Sequence, residues 1–214
     1  CIASGWAKLS SKLIEETQTK IGDVLFNLYG TPEAGLNVIA TPRGLRYSST
    51  TIGKRIKGVQ LKVMSKNMKE VQVGEIGHIC ITNAWSIRNE KNRWIQTGDV
   101  GFCDEKGYYF LLGRTDDMVV SGGENVYPIE VEQVLITHHE IEDVAVIGVM
   151  DEQFGQRLKA FILPIKNATI TNDEISTWLH SRVARFQMPK EIMMVEEMPY
   201  TSLGKIDKKL LKIK

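Results

Sequence analysis

Residues 113–132 read Gly-Arg-Thr-Asp-Asp-Met-Val-Val-Ser-Gly-Gly-Glu-Asn-Val-Tyr-Pro-Ile-Glu-Val-Glu, and no other run of the chain restricts its fold as much. Met118, Val119 and Val120 predict a short strand. Ser121-Gly122-Gly123 predicts a flexible turn, because two adjacent glycines reach backbone conformations closed to other residues and let a ligand approach closely. Pro128 suits the first turn of a helix, where its missing N–H costs nothing. Val131, Val134 and Leu135 continue that helix at helical spacing. No Gly-Lys-Ser/Thr follows the glycines, so the turn is not a phosphate-binding P-loop.

The texture differs on either side of this run. Upstream, residues 7–20 carry Leu9, Leu13, Ile14 and Thr17 at helical spacing. An apolar run at 24–28 then ends in a Gly30-Thr31-Pro32 turn, and strand followed by tight turn is where α/β folds place ligand-binding loops. From 41 to 112, β-prone runs at 58–64, 76–82 and 107–112 are separated by polar turns, predicting a small β-rich layer built of hairpins. Downstream, 144–149 and 158–163 read as buried strands. Thr171 and Glu174 form a capping box for a helix containing Ile175, Trp178, Leu179 and Val183. A last strand at 192–195 and a helical turn at 206–211 complete a compact α+β domain of roughly 100 residues.

Composition excludes several classes. The chain has 214 residues, 43% hydrophobic and 25% charged, with net charge +1. Its Lys and Arg residues are dispersed along the sequence, which gives no footprint for a nucleic-acid polymer or a membrane surface. No apolar stretch approaches the roughly 18 residues that span a bilayer, and no secretory-signal pattern is present. Cys1, Cys80 and Cys103 are odd in number and lack metal-ligand spacing, so reduced thiols and a cytoplasmic location are expected. His138 and His139 are adjacent, so on a helix they would point apart; they and His78 and His180 read as surface or boundary residues, and no zinc is expected. A start at Cys1 and not Met suggests a piece of something longer.

Three short constellations carry chemistry. In the run from Asn27 to Glu33, Tyr29 could stack a base, Gly30 lets the backbone approach phosphate, Thr31 offers a hydroxyl and Glu33 offers oxygen to a hard cation. In Thr97-Gly98-Asp99, a carboxylate beside Gly can accept hydrogen bonds from two vicinal hydroxyls. Lys205, on a turn with Gly204, places a compact positive charge where it can be swung into a site.

Taken in order, these runs resemble the motifs of AMP-forming acyl-CoA ligases, members of the adenylate-forming enzymes. Residues 29–33 resemble the family's Tyr-Gly-x-Thr-Glu, in which Tyr stacks on adenine, Thr contacts the α-phosphate and Glu helps to bind Mg²⁺. Pro32 stands at the usual Thr position, and Thr31 lies one residue early. Ser4-Gly5-Trp6-Ala7-Lys8-Leu9 is similar to the segment bordering adenine and the acyl pocket, with Trp6 unusually bulky. The resemblance implies Asp99 on the ribose hydroxyls, Arg114 beside it, and Asp116 as a hinge. It places Ser121, Gly122 and Gly123 along the pantetheine tunnel of CoA. Residues 198–206 resemble the family's ending, with Lys205 as the catalytic lysine and Tyr200 where a basic residue is usual.

The fold implied is α/β and α+β. Residues 1–113 would be the C-terminal end of a large domain (an α/β piece at 1–40, a β-rich layer at 41–113). A hinge at 114–117 and a small mobile α+β domain at 118–214 would follow. The activity implied is ATP-dependent: a carboxylic acid becomes an acyl-adenylate, which CoA then captures. Gly5, Tyr29, Gly30, Thr31, Asp99 and Arg114 would hold ATP or AMP, Glu33 would hold Mg²⁺, and Lys205, Glu33 and Thr31 would be catalytic. The loop that grips the β- and γ-phosphates is absent from this stretch, so the chain alone is expected to be inactive. The partners implied are a small carboxylic acid, ATP and CoA, with a homodimer allowed for. Two alternatives are another acceptor, such as a carrier protein, and a non-catalytic binding module.

Overall fold

The computed structural model describes residues 1–5, 9–84, 94–202 and 204–212. The chain folds as two compact units, Cys1–Asp116 and Asp117–Lys214.

In the first unit, strand β1 (Ile2–Gly5) is followed by helix α1 (Ser11–Lys20), whose N-cap Ser10 accepts a hydrogen bond from the Leu13 N–H. The helix expected from residue 7 therefore starts at Ser11, because the Ser10 hydroxyl satisfies an orphan donor there; Trp6, Ala7 and Lys8 lie outside the described residues. Strand β2 (Leu25–Thr31) pairs in parallel with β1 and antiparallel with β3 (Gly35–Ala40). Helix α2 (Pro42–Tyr47), capped by Thr41, was not expected. Five strands follow: β4 (Thr51–Arg55), β5 (Val59–Met64), β6 (Gly77–Asn83), β7 (Ile95–Cys103) and β8 (Tyr109–Arg114). All eight join one sheet in the order β1-β2-β3-β4-β8-β7-β6-β5. Since β3 pairs with β4, the sheet runs unbroken across the expected division at 40/41.

Two cores flank this sheet. Ile14, Leu25, Ala40 and Leu45 bury α1 and α2 against the β2–β3 end. Val38, Ile52, Leu61, Val63, Ile79 and Ile81 form the other core, on which Tyr29 packs. The sheet curls, because Asn83 at the end of β6 donates to the Ala34 carbonyl (2.8 Å) and to Asn37 Oδ1 (2.9 Å) on the β2–β3 hairpin.

The second unit opens with a hairpin of β9 (Val119–Ser121) and β10 (Glu124–Val126), then helix α3 (Pro128–Leu135) with Pro at its start. Long strands β11 (Ile141–Asp151) and β12 (Gly155–Pro164) form the centre, α4 (Asn172–His180) carries the expected capping box, and β13 (Glu191–Met194) and α5 (Lys208–Leu211) end the unit. The sheet order is β10-β9-β12-β11, with β13 added in parallel to β12. The continuous apolar run in β11 is explained by burial on both faces. Val144 and Val146 point into one core with Leu135, Ile175 and Leu179, while Ala145 and Ile147 point into another with Phe161, Met198 and Leu211. Two expectations fail here. Val183 lies past the end of α4, and His138 is buried, its ring stacked on His139 at 4.6 Å in the turn after α3. Off a helix, adjacent side chains are free to share a side.

Glu132 on α3 is a buried carboxylate with two partners: it accepts from the Val146 N–H (2.9 Å) and pairs with Lys208 Nζ (2.6 Å) on α5. Removing it strands a buried donor and a half-buried cation, so Glu132→Ala is expected to cost about 1–3 kcal/mol, read as a lower urea midpoint. Among the described residues no helix is long and apolar enough to cross a membrane.

Candidate active site

The first unit gathers most of the predicted nucleotide residues at one sheet end. Because β1 and β2 are parallel, their C-termini share an end, and Gly5 pairs with Leu28 beside Tyr29. β2 continues through Gly30 and Thr31, so the turn falls at 32–34 and closes a hairpin with β3. The expected loop leading out of an α/β strand is instead this hairpin. A Cβ on Gly30 would lie 2.2 Å from the Gly35 carbonyl oxygen, so only Gly lets the two strands close. The Thr31 hydroxyl accepts from the Ala34 N–H (3.2 Å) and so shapes the turn, while Glu33 projects from it into solvent.

Asp99 lies inside β7. Its Oδ2 accepts from the Tyr29 hydroxyl at 2.5 Å, and its Oδ1 faces Arg114 Nη1 at 3.4 Å on the neighbouring β8. Burial and the Asp99 charge push the Tyr29 phenol far above its ordinary pKa, so it remains a donor across the working pH range. The Asp99 N–H in turn donates to the Thr97 hydroxyl (3.1 Å), which donates to the Ile79 carbonyl (3.1 Å). Asp99 is thus held by its backbone and by both carboxylate oxygens, while Arg114 is half-exposed and also approaches Asp116 at 3.9 Å. An anchored acceptor beside a cation and an aromatic ring can receive a sugar hydroxyl. The direct Tyr29–Asp99 bond was missed by sequence reasoning, which gave each residue its own ligand contact. Tyr29→Phe removes a hydrogen bond to a charged group and is expected to lower stability by about 1.5–3 kcal/mol in chemical denaturation.

The second unit carries the remaining candidates. Ser121 is buried at the end of β9, and Gly122 and Gly123 make the hairpin turn with φ of +59° and +90°. The Gly122 N–H donates to the Phe154 carbonyl (3.1 Å), fastening the turn to the β11–β12 hairpin. Lys205 is exposed on a tight turn closed by Thr201 N–H to Lys205 O (2.7 Å) and Gly204 N–H to Thr201 O (2.9 Å). The strand-like bridge Tyr200–Ile206 and the Tyr200 hydroxyl bond to Asp143 (2.7 Å) hold the base of that turn. Among the described residues no three His, Cys, Asp or Glu side chains converge as a metal cage.

Two family profiles cover most of the chain. The AMP-binding enzyme profile matches residues 1–88, and the AMP-binding enzyme C-terminal domain profile matches residues 130–205. The chain belongs to the AMP-binding, adenylate-forming enzyme family. An indoleacetate–CoA ligase from Aromatoleum aromaticum is 31% identical over 97% of the chain, which spans 43% of that relative. The ATP-bound MatB from Rhodopseudomonas palustris superposes with a TM-score of 0.89 at 30% identity, over 99% of this chain and 44% of that one. The amide bond synthetase McbA from Marinactinospora thermotolerans shares the fold, with a TM-score of 0.93 at 24% identity, over 99% and 46% of the two chains. The chain therefore spans less than half the length of the curated relatives it matches, and its mixed α/β architecture is that of the adenylate-forming fold.

Proposed function

We propose that this chain is the nucleotide-contacting and domain-alternating part of an AMP-forming acid–CoA ligase. The observation that carries the reading is the Tyr29–Asp99–Arg114 cluster, with Tyr29 on the β2–β3 hairpin whose turn carries Glu33. In the first half-reaction a substrate carboxylate attacks the α-phosphorus of MgATP and expels pyrophosphate. Tyr29 packs against the adenine, and Asp99 and Arg114 take the ribose hydroxyls. Glu33 is a single exposed hard-oxygen donor, which suits a Mg²⁺ ion whose other ligands are phosphate and water. When bound there, the ion would supply positive charge to the phosphate oxygens. Thr31, already bonded to the turn, can present its hydroxyl to the α-phosphate, and the Lys205 ammonium supplies the second positive charge there.

In the second half-reaction the thiol of CoA attacks the acyl carbon and AMP leaves. Rotation of residues 117–214 about Asp116 withdraws Lys205 and brings Ser121-Gly122-Gly123 to the site, so one nucleotide serves two chemistries. The unit boundary at 116/117 supports this pivot. The run Ser-Gly-Gly-Glu-Asn at 121–125 supports CoA over a carrier-protein acceptor.

AMP binding tests the reading directly. Isothermal titration of AMP into the chain is expected to show binding that Asp99→Ala removes; equal binding by both would refute the assignment of the cluster. The chain alone is expected to lack ATP–pyrophosphate exchange at ordinary ligase rates. A full-length ligase carrying it should make CoA thioesters across a panel of aromatic, medium-chain and long-chain acids. Adenylate without thioester across that panel would point to a different acceptor.

A further inference from the structure

The turn that joins β2 to β3 is held from a distant strand. Its own tip offers little to hold it: Pro32 and Glu33 are exposed, and Pro32 has no N–H to give. Within the turn, the Ala34 N–H is shared between the Thr31 hydroxyl (3.2 Å) and the Thr31 carbonyl (3.3 Å). Asn83, at the end of β6 and 49 positions from Ala34, adds a second restraint. Its Nδ2 donates to the Ala34 carbonyl (2.8 Å) and to Asn37 Oδ1 (2.9 Å). Asn37, fully buried on β3, passes the restraint on by donating from its own Nδ2 to the Gly35 carbonyl (2.6 Å). Two asparagines thus fix the successive carbonyls of residues 34 and 35.

The arrangement has one sense. An amide NH₂ carries two protons, and the two acceptors facing Asn83 use both; turning that amide over would set its oxygen against two other oxygens. Ala34 is fixed a second time through its methyl group, buried in the core with Val38, Ile79 and Ile81. Glu33, one residue earlier, carries its carboxylate into solvent, so the backbone that Asn83 holds decides where that carboxylate can reach. Tyr29 is secured separately, by its bond to Asp99 and its pairing with Val38, and the β2–β3 register shifts between Tyr29 and Gly30. The hold on the turn and the hold on the ring are therefore distinct.

We infer that Asn83 is a positioning residue for the first half-reaction: through the Ala34 carbonyl and Asn37 it sets the turn from which Thr31 and Glu33 reach phosphate and cation. The inference rests on the roles proposed above for those two residues. Donors on a free hairpin tip would have to be ordered as the nucleotide binds, and a misplacement of about 1 Å at a reacting centre can cost about 10²-fold. Asn83 touches neither group itself and acts only through the backbone between them.

Asn83→Ala tests this in two settings. In the chain alone, amide hydrogen exchange across residues 31–36 should quicken about fivefold, the equivalent of one lost hydrogen bond, while β7 and β8 exchange as before. AMP affinity, read by calorimetry, should be unchanged because Tyr29 and Asp99 keep their own bond. In a full-length ligase carrying the substitution, ATP–pyrophosphate exchange should fall about tenfold and need more Mg²⁺ for half-saturation, the low end of what losing a support of a metal ligand costs. Thioester formation from supplied acyl-adenylate should keep the parent rate. Glu33→Gln, run alongside, separates the two claims. Parental exchange in Glu33→Gln would refute the role given to Glu33 and remove the basis of the inference; a slowed Glu33→Gln beside a parental Asn83→Ala would overturn the inference alone. Unchanged amide exchange in the turn overturns it as well. So does equal slowing of both half-reactions, which is what a merely structural bond closing the sheet would give. If circular dichroism shows Asn83→Ala to be unfolded, Asn83→Ser takes its place: a hydroxyl has one proton and serves at most one of the two acceptors, so the same changes should appear at smaller size.

Discussion

Lys205→Ala in a full-length ligase carrying this chain is expected to slow adenylate formation by about 10²- to 10³-fold, the cost of removing one preorganised charge from a developing oxyanion. The residue stands on a turn closed by its own backbone hydrogen bonds, Thr201 to Lys205 and Gly204 to Thr201. Its side chain is exposed, so truncation leaves packing intact and the protein should fold as before. The proposed alternation makes a sharper demand. Thioester formation from a supplied acyl-adenylate should proceed at close to the parent rate, because Lys205 has by then left the site. Measuring the two half-reactions separately decides the matter. Equal slowing of both would mean that the lysine supports the fold of its turn and not the first step alone, while unchanged adenylation would favour a non-catalytic module.

The parts of this fold that the sequence made legible are those set by local chemistry. The run 119–135 has glycines where the hairpin needs positive φ and Pro128 where the helix starts, so neighbours alone dictate hairpin and helix. Thr171 and Glu174 likewise fix the start of α4 by reciprocal bonds three residues apart. Non-local facts were hidden. Tyr29 and Asp99 are 70 positions apart and meet only because an eight-stranded sheet curls on itself, which no periodicity records. Helix α2 had a Thr-Pro start signal at Thr41 and Pro42, but Gly44 in the middle of so short a segment masks it; Gly44 is buried, and a Cβ there would come within 3.1 Å of the Tyr108 ring. The turn at 30–32 was misplaced for a related reason. Gly30 reads as a turn residue, yet its role is to let β3 pass close by while the strand continues.

The opposite half-reaction should respond to Gly123. Its φ of +90° is a conformation that L side chains rarely adopt, yet nothing lies within 4 Å of the Cβ position. The Cβ of Gly123→Val therefore has open space in the free unit, and the cost comes from the backbone. The β-branched side chain pulls φ negative and re-aims the hairpin whose other corner, Gly122, is pinned to the Phe154 carbonyl. Under the proposed mechanism this hairpin lies along the path of the CoA thiol, and the open space at the missing Cβ is where that chain would pass. A displacement of about 1 Å at such a point is enough for a loss near 10²-fold. Thioester formation should fall by that order while ATP–pyrophosphate exchange is unchanged, the reverse of the Lys205→Ala pattern. Gly122→Val would be a poorer probe, because its side chain meets the Phe154 ring at 3.2 Å and mixes a packing defect with the catalytic one. If Gly123→Val slowed both half-reactions alike in a variant that circular dichroism shows to be folded, the hairpin would belong to the nucleotide site in each conformation and the pivot at Asp116 would have no work to do.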